Sequence, residues 1–448
     1  MRNLEGARVL VLGMADSGDA AVELFAAKGA RVTASDLLPL ERLEGLAGRL
    51  ESRGVRFVRQ SKEVFNDQDL IVLSPGVPYD LPDLLAARER GVEVVGEVEA
   101  AGWFLAGPTV AVTGSNGKTT TTTLVYEMLR AAGVACRLGG NIGTPVCRMV
   151  AGSRPGQWNV LELSSFQLES IKTFRAHIGL GLNLTDNHLD RHHTMQNYVA
   201  AKAKLFAHQT AADIAVLNAD NAYTRSFAEL TPAEVVWFTS AGELDRGACR
   251  RGDALLLDGA PFLLVSEIRV RGGHNVGNIL AAAAAARRAG APLQAIHDAA
   301  ANFTGIEHRL EMVASIGGVD YYNDSKATTV ASAIAAVESF PGNLWVILGG
   351  KDKGSNFAPL AAPLEARAKG VLLIGKSAPK IAQHLGASLP LEPCGDLATA
   401  VRRASQAARP GDVVLLAPAC ASFDQFNNYE HRGRVFKELV AALEPGRT

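Results

Sequence analysis

Net charge is almost absent from this chain: 45 lysines and arginines stand against 46 aspartates and glutamates, a formal balance of -1. That offers no electrostatic ground for a nucleic acid or an anionic membrane as partner. No apolar run approaches the roughly 18 residues of a membrane span, and residues 1–6 lack the basic-then-apolar order of a secretion signal. A cytoplasmic protein is expected. Cys136, Cys147, Cys249, Cys394 and Cys420 are scattered without a CxxC pair, which signals neither a disulfide framework nor a structural zinc site; reduced, mostly buried thiols are expected. Solenoid-period repeats and long low-complexity linkers are also missing. What remains is an ordinary globular chain, 48% apolar and 20% charged, whose partners are expected to be small molecules.

At 448 residues the chain exceeds one ordinary core and suits two or three domains. Short β-branched runs at 8–12, 30–35, 69–73 and 92–95 alternate with amphipathic stretches, which predicts a parallel sheet flanked by helices. A second series, at 109–113, 159–163, 177–184, 214–218 and 234–239, ends in a hairpin around Asp258 and Gly259. An alanine-rich helix over 278–289 stops at Gly290. A third series follows at 319–322, 344–348, 371–374 and 413–416. Three α/β domains in series are expected, with limits at 1–97, 98–305 and 306–448.

The segment TVAVTGSNGKTTTTT (109–123) runs strand, glycine turn, then Lys-Thr opening a helix, an order that puts a phosphate site at a helix N-terminus. Gly114 and Gly117 permit the tight turn through Ser115 and Asn116, Lys118 supplies a charge for the β/γ-phosphates, and Thr119 offers a hydroxyl to Mg²⁺. Five threonines open the helix poorly on propensity alone, a cost that bound phosphate offsets. Val112 stands where the common eight-residue pattern needs glycine, so this is the shorter GxxGK[ST] form.

Glu162 closes the run 159–163, where a carboxylate at a strand's C-terminal end faces the phosphate loop and suits Mg²⁺; a helix-capping acid is the plain alternative. In NLTDNHLDRHH, His188 and His192 lack the glutamate of a metalloprotease pair, which argues against zinc. His192 and His193 are expected to be solvated loop residues. Lys202 and Lys204 lie on a helix beginning near Gln196, and composition alone makes either a surface charge.

These segments, with GGNIGTP (139–145), ELSSFQLE (162–169), GGHNVGN, EHR (307–309), NDSKAT (323–328) and PACASFDQF (418–426), occur in one order that resembles the Mur ligases from first strand to last. The final three most resemble the D-glutamate-adding branch. The resemblance implies a Rossmann-like N-terminal domain for a UDP-sugar, a P-loop-type central ATPase domain and a Rossmann-like C-terminal domain for the amino acid. It implies ATP-dependent ligation of D-glutamate to UDP-N-acetylmuramoyl-L-alanine through an acyl phosphate, in peptidoglycan precursor synthesis, by a monomer.

Residue by residue, the resemblance gives ATP to Gly114, Ser115, Asn116, Gly117, Lys118, Thr119 and Thr120, with Asn275 and Asn278 at the adenine and Arg309 and Asp324 reaching the nucleotide from the third domain. Thr119 and Glu162 would hold one Mg²⁺, and His188 with a carbamoylated Lys202 a second. A carbamate forms only on a neutral amine, hence on a lysine whose pKa is lowered. Lys326, Thr328, Lys353, Ser422, Phe423 and Tyr429 match the glutamate pocket, although plain core packing would also explain Phe423 and Tyr429. Lys118, His188, Lys202 and Lys326 are the candidate catalytic residues. The UDP-sugar falls to Asp16, Ser17, Asp36, Ser74, Gly76, Asn141 and His188. The resemblance has one departure here: Leu37 and Leu38 stand where some members of that family carry a hydroxyl residue and an arginine, and Asp16 sets negative charge beside a diphosphate.

Three rivals remain. Another amide ligase of the superfamily is opposed by PACASFDQF and by the absence of a DNPR-like motif. An inactive nucleotide-binding relative would have lost the metal and lysine positions, all present here. A dinucleotide oxidoreductase rests only on Gly13, Ala15, Gly18 and Asp36, a degenerate fingerprint.

Overall fold

A computed structural model describes the chain apart from residues 1, 44, 187, 271, 353, 387 and 444–448 and the side chains of residues 189 and 190. Three sheets follow one another along the chain. The first contains β1 (Arg8–Leu12), β2 (Arg31–Asp36), β3 (Arg56–Arg59), β4 (Leu70–Leu73) and β5 (Glu93–Gly96), all parallel, in the order β3-β2-β1-β4-β5. Its central strand RVLVL works by period-two alternation: Val9 and Val11 enter one apolar cluster and Leu10 and Leu12 the other, so helices cover both faces.

The second sheet comprises β6 (Thr109–Thr113), β7 (Cys136–Gly140), β8 (Trp158–Glu162), β9 (Ile178–Gly181), β10 (Ile214–Asn218), β11 (Glu234–Thr239), β12 (Ala248–Arg251), β13 (Ala254–Leu257) and β14 (Ala260–Leu264). Their order is β14-β13-β12-β11-β10-β9-β6-β8-β7, parallel except where β13 pairs with β12 and β14. Asp258 and Gly259 make the last hairpin turn, both at positive φ. The alanine-rich helix spans His274–Arg288 and packs on the helix Lys118–Ala131; Ala281 to Ala286 are fully buried, so two backbones approach closely.

The third sheet contains β15 (Glu311–Ile316), β16 (Val319–Asn323), β17 (Leu344–Gly349), β18 (Ala368–Ile374), β19 (Leu391–Gly395) and β20 (Val413–Leu416), in the order β15-β16-β20-β17-β18-β19, with only β15 antiparallel. The chain divides into two compact units: the first two sheets, with the helices through Phe303, form one, and the third sheet, from Thr304 on, forms the other. In each sheet the candidate residues cluster just beyond the carboxyl ends of parallel strands, where open α/β sheets leave a crevice.

Candidate active site

The phosphate loop leaves β6 at Gly114 and enters the helix Lys118–Ala131 through Gly117, whose φ of 80° is left-handed. A Cβ at Gly117 would stand 2.2 Å from Asn278 Oδ1, so glycine is required on both counts. Asn183 shapes the turn from outside: its backbone oxygen accepts from Ser115 N–H at 2.7 Å and its Oδ1 from Asn116 N–H at 2.9 Å. The Ser115 hydroxyl lies with Tyr198 Oη at 2.9 Å and Thr185 O at 3.1 Å. Two of the loop's amides and its serine are thus committed to shaping the turn, and the helix start supplies the N–H groups for an anion. Lys118 Nζ donates to Gly114 O and Ser115 O, each at 2.9 Å. Asn278 Nδ2 donates to Asn275 Oδ1 at 3.0 Å, and Thr121 Oγ1 to Asn278 Oδ1 at 3.4 Å, which places both asparagines beside the loop.

Glu162, 2% exposed, ends β8. Asn141 Nδ2 donates to its Oε1 at 2.7 Å, whereas Oε2 is buried with no hydrogen-bond partner among the described residues. A buried carboxylate oxygen left unpaired is costly and fits an ion. Lys202, only 1% exposed, donates to Gly114 O at 2.9 Å and Thr113 Oγ1 at 3.3 Å. Burial first, and then the Lys118 charge, hold its amine well below the ordinary lysine value, while Glu162 pulls the other way. The surface reading of Lys202 is therefore corrected. Lys204 is half-buried, and its ammonium caps Glu169 O.

His188 is exposed with a left-handed φ of 53°. Its ring meets Phe166 edge-on at 4.9 Å and tilts toward Tyr198 at 6.4 Å, and Tyr198 in turn lies 4.9 Å from Lys202 Nζ. His193 is exposed as expected, but His192 is not a solvated loop residue: it ends the helix Leu189–His192, is 4% exposed, and bonds Ser165 Oγ at 2.9 Å. Burial lowers its pKa, against the pull of the Glu169 carboxylate.

In the first domain Ser17 lies in the first turn of the helix Asp16–Ala27. Asp36 accepts from Met14 N–H at 2.7 Å and Leu38 N–H at 2.9 Å, tying β2 to the loop after β1. A Cβ at Gly18 would stand 1.8 Å from Gly13 O, so the glycine pattern serves helix-to-strand packing. Ser74 is buried, its hydroxyl without a partner among the described residues; Gly76 is exposed beside it. Leu37 and Leu38 are exposed. The charge of Asp16 is answered by Arg148, which bonds it at 2.9 Å and also reaches Asp19 and Glu23. Nothing in the motif reading pointed to Arg148.

The second unit gathers its residues around β16, β17 and β20. Burial pushes the Asp324 carboxyl up to about 6, against the Leu310 N–H, Arg309 and Lys326. Lys326 Nζ lies 5.7 Å over the Tyr429 ring, Thr328 is half-buried, and Ser422 is buried. Phe423 is 62% exposed, which removes core packing as its explanation. Arg432, fully buried, bonds Ser325 Oγ and O and Cys420 O, joining the segments that carry Lys326 and Ser422. Lys353 lies outside the described residues. Sequence reasoning missed Tyr198 although its i,i+4 spacing to Lys202 puts both on one helix face; Asn183, Arg148 and Arg432 left no local pattern.

Three stretches match Mur ligase families: residues 7–96 the Mur ligase MurD-like N-terminal domain, 112–286 the Mur ligase middle domain, and 308–420 the glutamate ligase domain. The chain is 55% identical over 442 residues to the UDP-N-acetylmuramoylalanine--D-glutamate ligase of Solibacter usitatus, covering 99% of each chain. It is 48% identical over 447 residues to the ligase of the same name from Acidobacterium capsulatum, covering 98% of this chain and 97% of that one. Among solved structures, UDP-N-acetylmuramate-alanine ligase from Thermotoga maritima has the same fold at 20% identity, with a TM-score of 0.59 over 98% of this chain and all of that one. With all three domains matched and near full-length relatives far above 30% identity, this chain belongs to the Mur ligase family.

Proposed function

We propose that the chain joins D-glutamate to UDP-N-acetylmuramoyl-L-alanine at the expense of ATP, releasing ADP and phosphate, in peptidoglycan precursor synthesis. The observation that carries this reading is the near full-length identity of 48 to 55% to two ligases named for that reaction. The substrates are small molecules, and the reading includes a cytoplasmic monomer. Among the described residues no helix is long and apolar enough to cross a membrane. Domain limits at 97 and 305 accompany this reading.

The L-alanyl carboxylate attacks the γ-phosphate, giving an acyl phosphate and ADP; the glutamate amine then attacks the acyl carbon, and phosphate leaves from the tetrahedral intermediate. Two anions meet in the first step, so positive charge must lie between them. Lys118 supplies one such charge at the helix start. The residues fit Mg²⁺ as well: the unpaired Glu162 Oε2, with Thr119, would hold one ion, and His188 with Lys202, carbamoylated, a second. Burial pulls the Lys202 pKa down, the direction that favours the neutral amine a carbamate needs. Mg²⁺ when bound neutralises charge on the transferring phosphoryl group. Asn141 and His188 steady the acyl phosphate; Asp16, Ser17, Asp36, Ser74 and Gly76 receive the UDP-sugar; Asn275 and Asn278 receive adenine, with Ser115, Asn116 and Thr120 shaping the phosphate end. Arg309 and Asp324 serve the nucleotide, and Lys326, Thr328, Lys353, Ser422, Phe423 and Tyr429 receive glutamate.

A heavy-oxygen label in the alanyl carboxylate tests the route. One labelled oxygen is expected in the phosphate released with D-glutamate, whereas label retained wholly in the amide product and water would overturn the acyl phosphate.

A further inference from the structure

Between the first and central domains, within one compact unit, one guanidinium joins three segments that the reaction uses. Arg191 Nη2 donates to Val77 O at 2.9 Å and to Glu169 Oε2 at 2.8 Å, while its Nε reaches Glu169 Oε1 at 3.3 Å. Val77 follows Ser74 and Gly76 in the candidate UDP-sugar loop. Glu169 closes ELSSFQLE, the segment that begins at Glu162. Arg191 itself lies in the helix Leu189–His192, which starts immediately after His188.

The ion pair is sheltered, with the side chains 15% and 14% exposed, and Arg191 lies 5.2 Å over the Phe166 ring, the same ring that meets His188. Glu169 Oε1 also lies 3.2 Å from His192 Nδ1, so two consecutive residues of the short helix are anchored on one carboxylate. A helix of four residues cannot hold itself by backbone bonds alone. Side-chain anchors must fix it, and with it the left-handed backbone of His188.

We propose that Arg191 is a positioning residue: its fork ties the UDP-sugar loop at Val77 to Glu169 and fixes the helix that places His188. It touches no reacting atom. Its planar fork serves two acceptors at once, which the single ammonium of lysine does not reproduce. The inference rests on the proposed ligase reading, because it takes the loop 74–77 as the sugar-nucleotide site.

Steady-state kinetics of Arg191→Ala and Arg191→Lys, with wild-type enzyme alongside, separate the two. The expected result for Arg191→Ala is a KM for the UDP-substrate raised about tenfold or more and a lowered kcat, with KM for ATP and D-glutamate within about twofold. Arg191→Lys should recover only part of the loss, and amide exchange over residues 74–80 should quicken in both variants. If the alanine variant does not fold, the lysine variant carries the test by the same split. An unchanged KM for the UDP-substrate with unchanged exchange, or equal rises in all three KM values, would overturn the inference while leaving the ligase reading standing. A wild-type enzyme inactive on the UDP-substrate would instead strike that reading.

Discussion

Glu97 shows at the residue scale how burial writes a pH dependence into the molecule. Its carboxyl is 1% exposed, accepts from Cys147 N–H at 2.6 Å through Oε1, and keeps Oε2 without a partner among the described residues. Burial pushes its pKa up from the ordinary 4.5 to about 7, against the Cys147 bonds. The folded state therefore holds the proton more tightly than the unfolded one: the stabilisation is complete below the unfolded value and is lost as pH rises through about 7. The effect is on the order of 3 kcal/mol. Glu97→Gln should flatten the stability profile between pH 5 and 8, read by denaturant unfolding; equal slopes in both proteins would contradict this. Lys202 is the second residue whose environment decides its chemistry. Lys202→Ala should lower kcat by about 100-fold or more, and wild-type enzyme stripped of CO₂ should lose activity that bicarbonate restores. Full activity in the variant would remove the carbamate. Its burial was illegible in the sequence, because YVAAKAKLF carries two lysines of equal apparent polarity and only the fold turns one toward Gly114 O.

Among the elements, the strands not read from β-branched runs were β3, β7, β12, β15 and β19; all but β12, an inner strand of the second sheet, stand at sheet edges, whereas the edge strand β5 was read. An edge strand is paired on one side only and carries residues that a buried strand avoids: RFVR, CRLGG and LEPCG hold arginine, paired glycines and proline. The helix opening at Lys118 was legible because glycine, lysine and threonine each have a separate task there. Gly117→Ala forces an L-residue into a left-handed backbone, costing about 1–2 kcal/mol, and drives its Cβ onto Asn278. The expected outcome is a KM for ATP raised about tenfold or more with a largely retained fold by circular dichroism. An unchanged KM would contradict the geometry assigned to the loop.

Across the whole molecule, the three α/β series and the phosphate loop were legible from pattern alone, the candidate sites of the first and third domains came only from the resemblance, and the ties between domains were not legible at all. Arg148 joins the helix Val146–Met149 to Asp16, Asp19 and Glu23 of the helix Asp16–Ala27, pairing residues more than a hundred positions apart for which no local spacing rule exists. The same pair answers the charge of Asp16 that stood against a diphosphate at this loop. Amino-acid selectivity is the property in which residues, elements and domains act together as a ligase. Phosphate release is measured with ATP, Mg²⁺ and UDP-N-acetylmuramoyl-L-alanine while D-glutamate, L-glutamate, diaminopimelate and lysine are supplied in turn. The account predicts release with D-glutamate alone; release with a different amino acid and none with D-glutamate would contradict it.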